Sequence, residues 1–113
     1  MFQAGQGILG TIPFRDGNRP SSPRTYLIVE VTSTHISVLN VSSVAGKEHK
    51  LLFPTNRQII KYNPPFLKDS FVKLDSLVTI SVSDCATYRI HTLHGGACLD
   101  ANELSSIIAD IVA

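Results

Sequence analysis

The sequence predicts a mainly-β fold, a small antiparallel barrel or strongly curled sheet packed against one C-terminal helix. Three observations carry this reading. Short apolar stretches rich in β-branched and aromatic residues recur along the chain, with turn-forming clusters between them. Apolar residues at clear helical spacing occur in the last stretch. In the middle of the chain, Pro64-Pro65 bars a continuous helix.

Each element follows from its residues. Residues 7–12, Gly-Ile-Leu-Gly-Thr-Ile, read as a first strand, and Pro13 ends its pairing. Residues 15–23 are polar and rich in Gly, Asn, Pro and Ser, which marks a loop. Arg24 opens a run, Thr-Tyr-Leu-Ile-Val-Glu-Val, with the composition of a central strand. Thr32-Ser-Thr is a tight turn, and residues 35–41 return as a third strand, so 24–41 is predicted to be a hairpin. Ser42 and Ser43 follow its end. Ala45-Gly46 break the pattern, and residues 48–53 are read as a fourth strand. Residues 54–68 are read as irregular. Residues 70–81 supply one bent strand or two. The helix begins at Asp100, which forms a D-x-x-E capping pattern with Glu103. Leu104, Ile107, Ile108, Ile111 and Val112 then line one face, and the sheet is what that face must cover.

Bulk composition narrows the function. With 113 residues and 43% hydrophobic content, the chain can bury the core of one domain, residues 1–113. A charged fraction of 17% and a mean hydropathy of +0.15 argue against disorder. The formal net charge of +1 provides no global basic field, so contact with nucleic acid requires a local patch. The longest apolar runs are far shorter than a bilayer span, and no basic-then-apolar leader opens the chain. These features predict a soluble, cytoplasmic protein without membrane contact.

Two motifs are weaker than their letters suggest. Gly5-x-Gly7-x-x-Gly10 spells a dinucleotide fingerprint, but no strand precedes it and Pro13 interrupts any helix after it. Its glycines fit tight bending of a strand better. Cys85, His91, His94 and Cys98 are all zinc-ligand types. Their spacing matches no standard site, and small buried thiols with loop histidines are the simpler reading. No metal or cofactor is expected.

The segment 69–80, Asp-Ser-Phe-Val-Lys-Leu-Asp-Ser-Leu-Val-Thr-Ile, is the most informative. As one strand it puts Phe71, Lys73, Asp75, Leu77 and Thr79 on one face, and Val72, Leu74, Ser76, Val78 and Ile80 on the other. A lysine and an aspartate thus share a face with apolar neighbours. Charges beside a core are costly unless paired or used. An exposed ion pair is the plain alternative.

In order and spacing these parts resemble the MazF/PemK family of toxin endoribonucleases over nearly the whole chain. Residues 5–14 resemble its glycine-led opening strand ending in proline. Arg24-Thr-Tyr-Leu-Ile-Val is similar to its Arg-Pro-apolar strand, with Thr25 in place of proline. Residues 38–43 resemble a strand ending in threonine or serine, here Ser42. Residues 69–80 are the closest match, with Val78 where an arginine commonly stands. The resemblance implies an SH3-like antiparallel barrel of the MazF/PemK/CcdB type with a C-terminal helix, usually as a homodimer. It implies cleavage of single-stranded RNA without metal, by attack of the ribose 2′-hydroxyl, and neutralisation by a cognate antitoxin protein. Carried onto this sequence, Asp75 is the base, Arg24 clamps the phosphate, Lys73 stabilises charge or donates a proton, and Ser42 holds a phosphate oxygen. Arg15, Arg19, Lys47, Lys50 and Thr79 are the candidate RNA contacts, and at this net charge RNA binding requires Arg15, Arg19, Arg24, Lys47, Lys50, Arg57 and Lys73 to concentrate on one face. A noncatalytic binding toxin on the same barrel, such as a CcdB-like gyrase inhibitor, is the alternative.

Overall fold

A computed structural model describes residues 1–112 of the chain. It forms a seven-stranded antiparallel sheet with one C-terminal helix. The strands are β1 (Gly7–Gly10), β2 (Arg24–Val31), β3 (His35–Ser43), β4 (Asn56–Ile59), β5 (Ser70–Lys73), β6 (Val78–Ser81) and β7 (His91–Thr92), and the helix is α1 (Ala101–Ala109). The sheet order is β4-β5-β3-β2-β1-β7, with β6 also pairing β3. Its end strands do not pair with each other, so the sheet remains open rather than closing into a barrel.

β3 organises the molecule. One edge pairs with β2, as the predicted hairpin requires. The other edge is shared: Val41, Ser42 and Ser43 pair with β5, whereas His35 to Val38 pair with β6. Residues 70–81 are therefore two strands. Both faces of the sheet carry apolar side chains. Leu27, Leu39, Val41 and Val72 pack on one face with Phe66, Leu99 and Ile107. Ile8, Tyr26, Ile28, Ile36, Val38 and Ile80 pack on the other, with Ile12. The Tyr26 hydroxyl donates to the Ile12 carbonyl at 3.1 Å, which ties the end of the first stretch to this second cluster.

The helix cap is as predicted: the Asp100 carboxylate accepts from the Glu103 amide at 3.1 Å. Ile107 is buried and Leu104 is half-buried against the sheet, while Ile108 is exposed. Ile111 and Val112 lie beyond the helix end, and the Val112 amide continues the contact by donating to the Leu74 carbonyl at 3.0 Å.

Further expectations change. Residues 48–53 are not a strand; Glu48–Leu52 is a 3-10 turn, because Glu-His-Lys has no alternation to bury. The fourth strand instead lies at Asn56–Ile59, inside the stretch read as irregular. It is an edge strand whose only buried side chain is Ile59, so its sequence carries almost no apolar signal. The short β7 pairs with β1 through Thr92 and His91, which extends the sheet by a strand too brief to show a pattern.

Candidate functional site

The alternation read along residues 69–80 does not survive intact. β3 and its neighbour are in register at Val41–Val72 and again at Val38–Val78. Between these pairs the neighbour carries an odd surplus of residues, and an odd surplus reverses which face each later side chain takes. Val78 therefore shares the face of Phe71 and Lys73. Thr79 lies on the opposite face, bonded through its hydroxyl to Ser37 at 2.7 Å. Ser76 holds the surplus in place. Its hydroxyl donates to the Lys73 carbonyl at 2.6 Å and accepts the Asn40 amide at 2.8 Å. A single side chain thereby replaces the interrupted ladder, and it sets Asp75 at the exposed tip of the turn.

Register brings Arg24, Ser42 and Lys73 together. Ser42 pairs with Phe71, and Lys73 lies two residues further on the same face. Arg24 precedes Thr25, the partner of Val41, so it stands beside Ser42 at the start of β2. Asn40, two residues before Ser42, joins this face. The sequence pattern singles out no role for Asn40, although its alternation with Ser42 in the third strand is a usable signal. Phe71, fully buried beneath this polar row, belongs to neither apolar cluster.

The electrostatics converge on Lys73. Its ammonium is half-buried and held below its ordinary range, first by burial and then by the positive charges of Lys50, Arg24 and Lys47. Asp75 opposes the shift, but as the smallest contribution. No ion pair joins Asp75 to any of these cations. The ion pairs among the described residues are Arg57 with Glu103 and Asp110, and Lys61 with Asp100. Four cations thus crowd together, none of them in an ion pair among the described residues. Such a group is a ready site for an anion, because each new negative charge relieves several repulsions at once.

A shallow depression of about 300 Å³ adjoins the cluster, lined by Phe14, Arg15, Asp16, Asn40, Asp75 and Ser76. The Arg15 guanidinium donates to the Asp75 carbonyl at 3.0 Å, which docks the first loop onto the turn. Arg24 lies over the Phe14 ring at 5.6 Å, so the same loop also steadies the guanidinium.

The other sequence candidates lie elsewhere. Arg19 is spent on structure: it donates to the Thr11 hydroxyl at 2.9 Å and the Thr87 carbonyl at 3.3 Å, and it stacks on Tyr88 at 5.3 Å. Arg57 is tied to α1. Among the described residues, no group of three metal-ligand side chains is assembled. Cys85 packs against the second apolar cluster, with its thiol pushed up by burial and by Asp84. Cys98 forms an isolated antiparallel bridge with Gln6. No described helix is long and apolar enough to cross a membrane. A scan against protein-family models and a search of curated proteins found no match to this chain.

Proposed function

We propose that this protein is an endoribonuclease toxin of the MazF/PemK type, with an SH3-like core, that cleaves single-stranded RNA at the Lys73 cluster. The observation that carries the reading is the convergence of Arg24, Lys47 and Lys50 on a half-buried Lys73 beside Ser42 and the Asp75 turn. Homodimerisation and capture by an antitoxin belong to the same proposal and rest on the sequence resemblance alone.

The chemistry suits these groups. The ribose 2′-oxygen attacks the adjacent phosphorus, its proton passes to Asp75, and the bond to the 5′-oxygen breaks. The products are a 2′,3′-cyclic phosphate and a 5′-hydroxyl. Arg24 and the lysines stabilise the charge that builds on the phosphorane. Lys73 is suited to protonate the leaving oxygen, since burial and then its cationic neighbours make it a stronger acid than an ordinary lysine. Arg24 acts by charge, because a guanidinium does not release its proton near neutral pH. The reaction as written uses no metal.

The test is incubation of mixed single-stranded RNA with the protein in EDTA, beside Arg24→Ala and Asp75→Ala. Cleavage by the parent and loss of it in both variants supports the proposal. Equal cleavage by all three rejects the site. The absence of any ion pair between Asp75 and the cations favours a second reading, a noncatalytic toxin of the CcdB kind. In that case RNA stays intact throughout, and a protein partner replaces it.

A further inference from the structure

On the other face of the sheet, across the start of β2 from Arg24, lies a cleft of about 320 Å³. We propose that it receives one unstacked nucleobase of the RNA strand whose phosphate rests on the Lys73 cluster. This rests on the RNA reading above and adds a subsite to it.

Position makes the first argument. Arg24 and Thr25 are consecutive, and alternation sends them to opposite faces: Arg24 to the cationic cluster, Thr25 into the cleft. Ser42 and Ser43 repeat this on β3, with Ser42 at the edge shared by both. A strand crossing this rim meets cations on one side and the cleft on the other.

The lining makes the second. Pro65 and Phe66 are buried in the cleft wall, and Val41 and Leu93 add apolar surface, which suits a planar ring. The Ser70 hydroxyl is committed to the Lys68 carbonyl at 2.7 Å. Those of Thr25, Ser42 and Ser43 have no hydrogen-bond partner among the described residues. A hydroxyl both donates and accepts, as a base edge requires. Among the described residues no carboxylate lines the cleft, whereas Lys68 and His94 do, so none of them repels a neighbouring phosphate. The volume is near the lower end of ligand pockets, roughly 300–1,000 Å³, which fits a nucleoside and little more.

The backbone supplies the third. His94 holds a left-handed φ of 51°, followed by Gly95 at 62° and Gly96 at 84°. A side-chain-bearing residue in that region is uncommon, and such residues gather at ligand sites. Gly7 matters as well. A Cβ there would stand 2.9 Å from Phe66, 3.1 Å from Pro65 and 3.3 Å from Leu93, so its absence lets three cleft walls close onto β1. One glycine of the apparent dinucleotide fingerprint thus shapes this cleft.

Nucleosides, which carry no phosphate, separate this subsite from the cationic cluster. Uridine, cytidine, adenosine and guanosine are titrated into the 15N-labelled protein while backbone amide shifts are followed. The expected result is saturable movement of Thr25, Ser43, Leu93 and His94 with at least one nucleoside. Inorganic phosphate should move Lys50 and Lys73 instead. Gly7→Ala should weaken nucleoside binding about tenfold. If that variant does not fold, His94→Ala is the milder one, and the parent titration is decisive by itself. Should all four nucleosides leave the cleft amides unmoved, the subsite is overturned. A short single-stranded RNA that still moves Lys50 and Lys73 then leaves the RNA reading standing. One that moves neither region removes both.

Discussion

At the residue scale, Lys73 joins stability to the proposed RNA binding through a single proton. In the folded chain its charged form is disfavoured, so its pKa lies below the ordinary 10.5. Between the lowered value and the unfolded one, the unfolded chain binds more protons, and stability therefore rises with pH. Affinity for a phosphate runs the other way, because the anion needs the ammonium that is being lost. The parent should thus bind RNA less tightly as pH climbs through this alkaline window while its urea midpoint gains. Lys73→Arg should bind with almost no pH dependence there, since guanidinium stays charged. Lys73→Met should lose both slopes, together with about tenfold in affinity, the loss typical of one charge-assisted contact. Parallel binding and unfolding series across that window would check the opposition; slopes of the same sign would rule it out. Sequence alone made Lys73 conspicuous as a charge among apolar residues. It could not tell that Lys47 and Lys50 crowd it, because a 3-10 turn brings them there.

At the element scale, two side chains carry more than their own contacts. Glu103 in α1 is buried, and its carboxylate accepts the Ile60 and Lys61 amides at 2.7 and 2.8 Å, with Arg57 at 3.5 Å. It fastens the helix to the end of β4. Glu103→Ala leaves both amides without partners and should cost about 2–4 kcal/mol in chemical unfolding. Ser76→Ala should cost less, about 1–2 kcal/mol, since the Asn40 amide loses its single bridge. Its sharper effect falls on the proposed cleavage. The Asp75 turn loosens, so RNA cleavage should decline more than RNA binding, a difference that paired turnover and affinity measurements would read. The helix was legible because its cap and its period agree. Glu103 was read as half of that cap, and its clasp on β4 was hidden because β4 itself has no apolar alternation. The surplus at Ser76 was hidden for another reason: a strict period of two continues through residues 69–80 on paper, and only pairing with β3 breaks it.

At the scale of the whole molecule, a net charge of +1 conceals an uneven distribution. Some cations are consumed by the fold: Arg19 by Tyr88 and its hydrogen bonds, Arg57 by α1. Those left facing one another are Arg24, Lys47, Lys50 and Lys73. Counterion release turns this division into a measurable slope. Each phosphate neutralised on a single strand contributes about −0.7 to the dependence of log affinity on log salt. Lys47→Ala and Lys50→Ala should each make the slope shallower by about 0.7 and weaken binding at low salt, with little effect on folding because both are surface substitutions. Arg19→Ala should leave the slope unchanged and lower stability instead, since its charge is already engaged. The contrast is stricter than any single loss of affinity. A molecule that attracts RNA by diffuse charge alone would respond alike to every lost cation, whereas a built cluster responds only where its charges converge. Equal slope changes for Arg19→Ala and Lys50→Ala would therefore remove the cluster as the seat of binding.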